Sequence, residues 1–124
     1  MKAEIINHIY IFLTVIFTVY GQMVLKWQVS RYGDLPGSFM AAVVFIFKLF
    51  GNIWILSCFT AAFLASLSWM AAMTKFEISY AYPFMSLNFI VVMVLSIFLL
   101  SEPFAWSKVA GTAIVICGLV LLSR

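Results

Sequence analysis

The sequence predicts an all-α membrane protein: four transmembrane helices in a single domain, with a short interfacial helix, or a helical extension, before the second span. Three observations predict it. Hydrophobic residues make up 66% of the 124 residues and charged residues only 9%, against roughly 25% charged in a soluble domain. The charges are gathered so that residues 5–25, 49–74 and 78–101 carry none. A helix rising about 1.5 Å per residue needs about 20 residues to cross the hydrocarbon core, and each gap is that long. Finally, Trp27, Trp54, Trp69 and Trp106 all fall near a predicted helix end, where an apolar ring with one N–H donor suits the headgroup boundary. This composition excludes a cytosolic enzyme, a nucleic-acid-binding module and a disordered tail. The net charge of +3 lies in loops and ends and is read as contact with anionic membrane lipids.

The first span is predicted over about 5–28. A cleaved leader is not expected there, because the apolar stretch exceeds the roughly 7–15 residues of a signal core and no A-x-A-like site follows. Asp34, Pro36 and Gly37 mark the loop after it. Residues 38–50 are apolar but short and carry Lys48. They read as an interfacial helix or as an extension making one long tilted helix over 39–74. The second span is predicted over about 52–74 and the third over about 78–100. The fourth reaches spanning length over about 104–123 if Lys108 snorkels toward the headgroups, with Pro103 in its first turn. Links of about three residues after the second and third spans make antiparallel neighbours. Lys2, Lys75 and Arg124 fall on one side of the membrane and Lys26, Arg31, Lys48 and Lys108 on the other. That balance leaves orientation undecided and permits a pair of oppositely inserted chains.

No catalytic set is legible. Glu4, Asp34, Glu77 and Glu102 lie at helix ends or in loops, His8 is the single histidine, and no zinc spacing, nucleophile triad or phosphate loop is present. Neither a metal nor a cofactor is expected, and the chain does not read as an enzyme. Cys58 and Cys117 lie inside predicted spans and read as packing residues.

Polar groups within the spans are the better lead, because each costs free energy in lipid unless it meets a partner or a cavity. In the first span Thr14, Thr18, Gln22 and Lys26 recur every fourth residue and form a ladder on one face, beside Gly21. The threonines can bond their own backbone four residues back. For Gln22 and Lys26, interhelical bonding and the lining of a cavity both stand, with Lys26 at the mouth because a lysine at the bilayer centre costs roughly 2.5–3.5 kcal/mol. In the second span Ser57, Thr60, Leu64 and Ser68 share a broad face that reads as helix packing. The third opens with Pro83 between Tyr82 and Phe84, and Ser86 and Asn88 follow. These either bond between helices or touch substrate. In the fourth span Ser107, Gly111 and Gly118 fall within about 40° of one another at roughly 100° per residue. That small-residue face reads as an association surface.

At these residues the chain resembles the drug/metabolite transporter superfamily in its small four-helix form. The resemblance is carried by Gly21 through Lys26, by Ala81-Tyr82-Pro83 with Ser86-Leu87-Asn88-Phe89, and by Ser101-Glu102-Pro103 before the Gly111/Gly118 helix. It is nearest to the ArnE/ArnF-type subunits of the flippase for aminoarabinose-phospho-undecaprenol. The chain departs from the superfamily's small multidrug exporters at their proton- and cation-binding glutamate, whose position falls on Thr18. It also departs at a tryptophan, which falls on Met85, while the third-helix tyrosine is kept as Tyr82. The resemblance implies a multi-pass protein of the bacterial inner membrane that flips a polyprenyl-phosphate-linked sugar. Thr18, Gln22, Lys26, Tyr82, Ser86 and Asn88 are its candidate substrate-binding residues. The implied assembly is a homodimer, or a heterodimer with a homologous small subunit, through Ser107, Gly111 and Gly118. Export of a small metabolite or cation, and a non-transporting role in assembly, are the competing functions.

Overall fold

A computed structural model describes residues 2–122 and 124, with residue 3 described in its backbone only. The described residues are helical and contain no strand. Helix α1 runs unbroken over Lys2–Val29, which at 1.5 Å per residue is about 42 Å, longer than a hydrocarbon core of about 30 Å. Helix α2 covers Phe39–Leu49 and α3 Ile53–Met73. The long-helix alternative over 39–74 is therefore not what forms. Asn52 takes an extended backbone (φ −89°, ψ 125°), and its side-chain oxygen accepts the Trp54 N–H at 2.8 Å, capping α3. Ser38 caps α2 in the same way.

The third predicted span is divided. Helix α4 covers Ile78–Ala81, a 3-10 turn covers Tyr82–Ser86, and α5 covers Leu87–Leu99. Pro83 has no N–H to offer the α ladder. The chain tightens around it, and the Ser86 hydroxyl donates back to the Pro83 carbonyl. Helix α6 begins at Trp106 and runs to Leu122, two residues later than predicted. Pro103 accordingly lies in the preceding loop rather than in the first helical turn. The predicted end at residue 123 lies outside the described residues. Among the described residues, three stretches are long and apolar enough to cross a membrane: Glu4–Val29, Ile53–Met73 and Ile78–Leu99. Helix α6 is apolar but shorter.

Helix α1 packs most extensively on α3 and also on α5. Its buried Ile11, Val15, Val19 and Met23 recur every fourth residue. Val15, Val19 and Met23 pack against Met85 of the 3-10 turn and Leu87, Val91, Val92 and Leu95 of α5, while Ile11 clusters with Ala72 and Ala81. Helix α3 buries Ile55, Cys58, Ala61, Ala65 and Ala72. This corrects the packing face read from the sequence, since Thr60 and Leu64 are exposed. Between apolar helices in lipid the drive is close van der Waals contact, which small side chains permit. Gly21 marks a close approach, where an added Cβ would lie 3.3 Å from the Cys58 carbonyl oxygen. Side-chain hydrogen bonds hold one end of this pair and tie the start of α1 to α4. Asn52 donates to Gln28 at 3.1 Å and to Tyr32 at 2.9 Å. The Tyr20 and Ser57 hydroxyls meet at 3.0 Å, and His8 meets Tyr80 at 3.1 Å. Helix α6 rests on the 3-10 turn and α5 and buries none of its described residues.

Candidate functional site

Two cavities border each other beside α1. The larger, about 790 Å³, is walled by Thr18 and Gln22 of α1, Tyr82, Met85 and Ser86 of the 3-10 turn, and Asn88 and Ser96 of α5. Glu102 of the following loop and Lys108, Thr112 and Leu119 of α6 complete it. The smaller, about 450 Å³, lies in the groove between α1 and α3 among Phe17, Leu25, Phe59 and Met70. Thr18, Gln22 and Trp69 line both.

The local fold explains how these groups converge. The i+4 spacing of Thr14, Thr18 and Gln22 puts one polar stripe along α1. Thr14 spends its hydroxyl on the Tyr10 carbonyl at 2.8 Å, as expected for a buried threonine. The 3-10 turn has three residues per turn instead of 3.6. It rotates Tyr82 and Ser86 relative to α5, and Ser86 is buried at its end.

Five of the six residues singled out in the sequence, Thr18, Gln22, Tyr82, Ser86 and Asn88, line the larger cavity. Lys26 is in the lining of neither cavity; its side chain is exposed. The cavity's basic group is Lys108 instead. Thr18, Gln22, Tyr82 and Asn88 make no side-chain hydrogen bond to any described residue, and the Asn88 Oδ1 is fully shielded and unpartnered. Within the chain they do not bond helices together; that role belongs to Tyr20, Ser57, Asn52 and Gln28.

Lining residues that the sequence reading does not single out include Trp69, Glu102 and Lys108. Trp69 was read as an interfacial anchor, yet it continues the stripe Cys58, Ala62 and Ala65 that faces the smaller cavity. That spacing was the available signal. Glu102 and Lys108 were read as loop and snorkelling charges. Their flanking of Pro103, in a chain with few charges, was the clue.

On α6, Ser107, Gly111 and Gly118 are exposed. A Cβ added at either glycine meets nothing within 4 Å. At 100° per residue this face lies about 140° from the one carrying Val109, Thr112, Ile116 and Leu119. The chain's own packing therefore leaves it uncovered.

No family model matches the sequence, and no solved structure matches the chain. Among known proteins the chain is similar to a probable 4-amino-4-deoxy-L-arabinose-phosphoundecaprenol flippase subunit ArnE of Pseudomonas fluorescens, at 31% identity over 107 residues. That match covers 86% of this chain and 88% of the relative. It is similar to the corresponding probable subunit ArnF of Enterobacter sp. (strain 638), at 28% over 122 residues, covering 89% and 88%. A probable ArnF of Erwinia tasmaniensis is 36% identical over 61 residues, and there the match spans about half of each protein, 48%.

Proposed function

The chain belongs to the family of ArnE/ArnF-type flippase subunits, and from that premise we propose that it moves a polyprenyl-phosphate-linked aminosugar across the membrane. It is a multi-pass protein of the bacterial inner membrane. The observation that carries the proposal is the set of uncommitted polar groups, Gln22, Tyr82 and Asn88, around one cavity that borders an apolar groove. A lipid-linked sugar has a hydrogen-bonding head and a long apolar tail. The larger cavity takes the head and the α1–α3 groove takes the start of the tail. Thr18 stands where the superfamily's cation exporters carry a glutamate, and threonine neither exchanges a proton near neutral pH nor holds a cation by charge. This favours the lipid substrate over a small cation.

The proposal includes α6 as a fourth span and a partner helix against Ser107, Gly111 and Gly118. The partner is a second copy or a homologous small subunit. The test is reconstitution in liposomes, alone and with a homologous subunit, loaded with a labelled polyprenyl-phospho-aminosugar. Movement of the label between leaflets supports the reading. Movement of soluble cations but not of the lipid, or of no solute in either preparation, overturns it.

A further inference from the structure

Two opposite charges face the larger cavity from the link between α5 and α6, and the structure spends neither on the other. Past α5 the backbone of Ser101 takes a left-handed conformation, φ 55°. The Glu102 N–H then turns back to the Ser96 carbonyl at 3.1 Å. This fixes the base of Glu102 at the end of α5, where the residue lines the cavity. Lys108 follows in the first turn of α6 and lines the same cavity. Its Nζ donates to the Pro103 carbonyl at 3.2 Å, so the ammonium leans back over the loop that carries Glu102. Neither residue is ion-paired among the described residues.

Helix stability does not account for Lys108. The N-terminal turn is the positive end of the helix dipole, where a cation is unfavourable and an anion is stabilised. The ammonium and the helix end together present positive potential to the cavity, and Glu102 presents negative charge beside it. Deeper in, Asn88 lines the cavity and its side chain makes no hydrogen bond to any described residue. A ligand that satisfies all of these carries an anion, a cation and hydroxyl donors together.

Resting on the flippase reading, we infer that Lys108 and Glu102 are specificity-determining residues. Lys108 holds the phosphate, Glu102 holds a protonated amine on the sugar, and the site selects lipid-linked phospho-sugars with a free amine. An N-acylated sugar has lost that charge and leaves Glu102 facing a neutral amide.

The experiment measures binding to the full chain in nanodiscs, using a polyprenyl-phospho-aminosugar and its N-acetylated counterpart. The native chain should prefer the free amine by about tenfold, the scale of one charge-assisted hydrogen bond. Glu102→Gln should abolish that preference while binding the N-acetylated lipid as before, and Glu102→Asp should keep most of it. Lys108→Gln should weaken both lipids by about tenfold and leave their ratio intact. A native chain that binds both lipids equally, a Glu102→Gln chain that retains the preference, or a Lys108→Gln chain with native affinity overturns the assignment. These outcomes are separate from leaflet-to-leaflet movement by the native chain, which decides the flippase reading.

Discussion

The Trp69 indole meets the Tyr82 ring edge to face, with centroids 6.0 Å apart at 78°. The contact joins α3 to the 3-10 turn, and both rings line the larger cavity. Because Trp69 lines both cavities, its truncation merges them. Trp69→Ala should lower lipid transport by about tenfold, since an edge-to-face pair is worth about 0.5–1.5 kcal/mol beyond its buried area. Trp69→Phe should retain most activity. The measurement is the initial rate of leaflet exchange in liposomes, with protein amount matched between variants.

The Gln22 and Asn88 side chains make no hydrogen bond to any described residue. Gln22→Leu and Asn88→Leu should therefore reduce transport severalfold without lowering the unfolding midpoint in detergent. Full transport by both variants would remove them from the site.

Gly21 sits at a close approach of α1 to α3. A leucine there must displace the Cys58 carbonyl, which is backbone and cannot swing away. Overpacking of this kind costs about 1–3 kcal/mol. Gly21→Leu should lower the unfolding midpoint clearly, and Gly21→Ala, at 3.3 Å, should do so slightly. A native midpoint for the leucine variant would contradict the packing of α1 on α3.

Gly111 and Gly118 face open space, so the expectation reverses. Gly118→Leu should leave the unfolding midpoint of the single chain unchanged or raised, because glycine is about 1 kcal/mol poorer than alanine in a helix. The same change should weaken association with a second copy or a homologous subunit. Cross-linking in membranes reads this directly, and normal dimer yield from Gly118→Leu would exclude the α6 face.

Ser101 holds a backbone conformation that costs an L-residue roughly 1–2 kcal/mol. Ser101→Gly should fold and transport normally. Ser101→Val should be destabilised by about 1 kcal/mol or more, because a branched Cβ crowds the left-handed region further. It should also transport poorly, as Glu102 depends on that turn. Equal stability of the two variants would show that the turn is not constrained.

Charge gaps and apolar length were enough to read the helical class and the approximate course of α1, α3 and the stretch over 78–99. Lipid imposes that information locally: a segment without charges must satisfy its own backbone, and only a helix of sufficient length does so. Polar residues inside a span are likewise conspicuous one by one, so Thr18, Gln22, Tyr82, Ser86 and Asn88 could be named without knowing how the helices meet. Azimuth is different. Helices apolar on nearly every side carry no amphipathic stripe to say which face turns inward. Only tertiary packing decided that Cys58, Ala61 and Ala65, rather than Thr60 and Leu64, receive α1. It also decided that Trp69 turns into the cavities instead of toward the interface. The same holds for Lys26 and Lys108. Both are lysines near helix ends, but the turn at Ser101 and the late start of α6 at Trp106 bring Lys108 to the cavity. Helix α1 carries Lys26 a full turn beyond Gln22, out of the cavity wall.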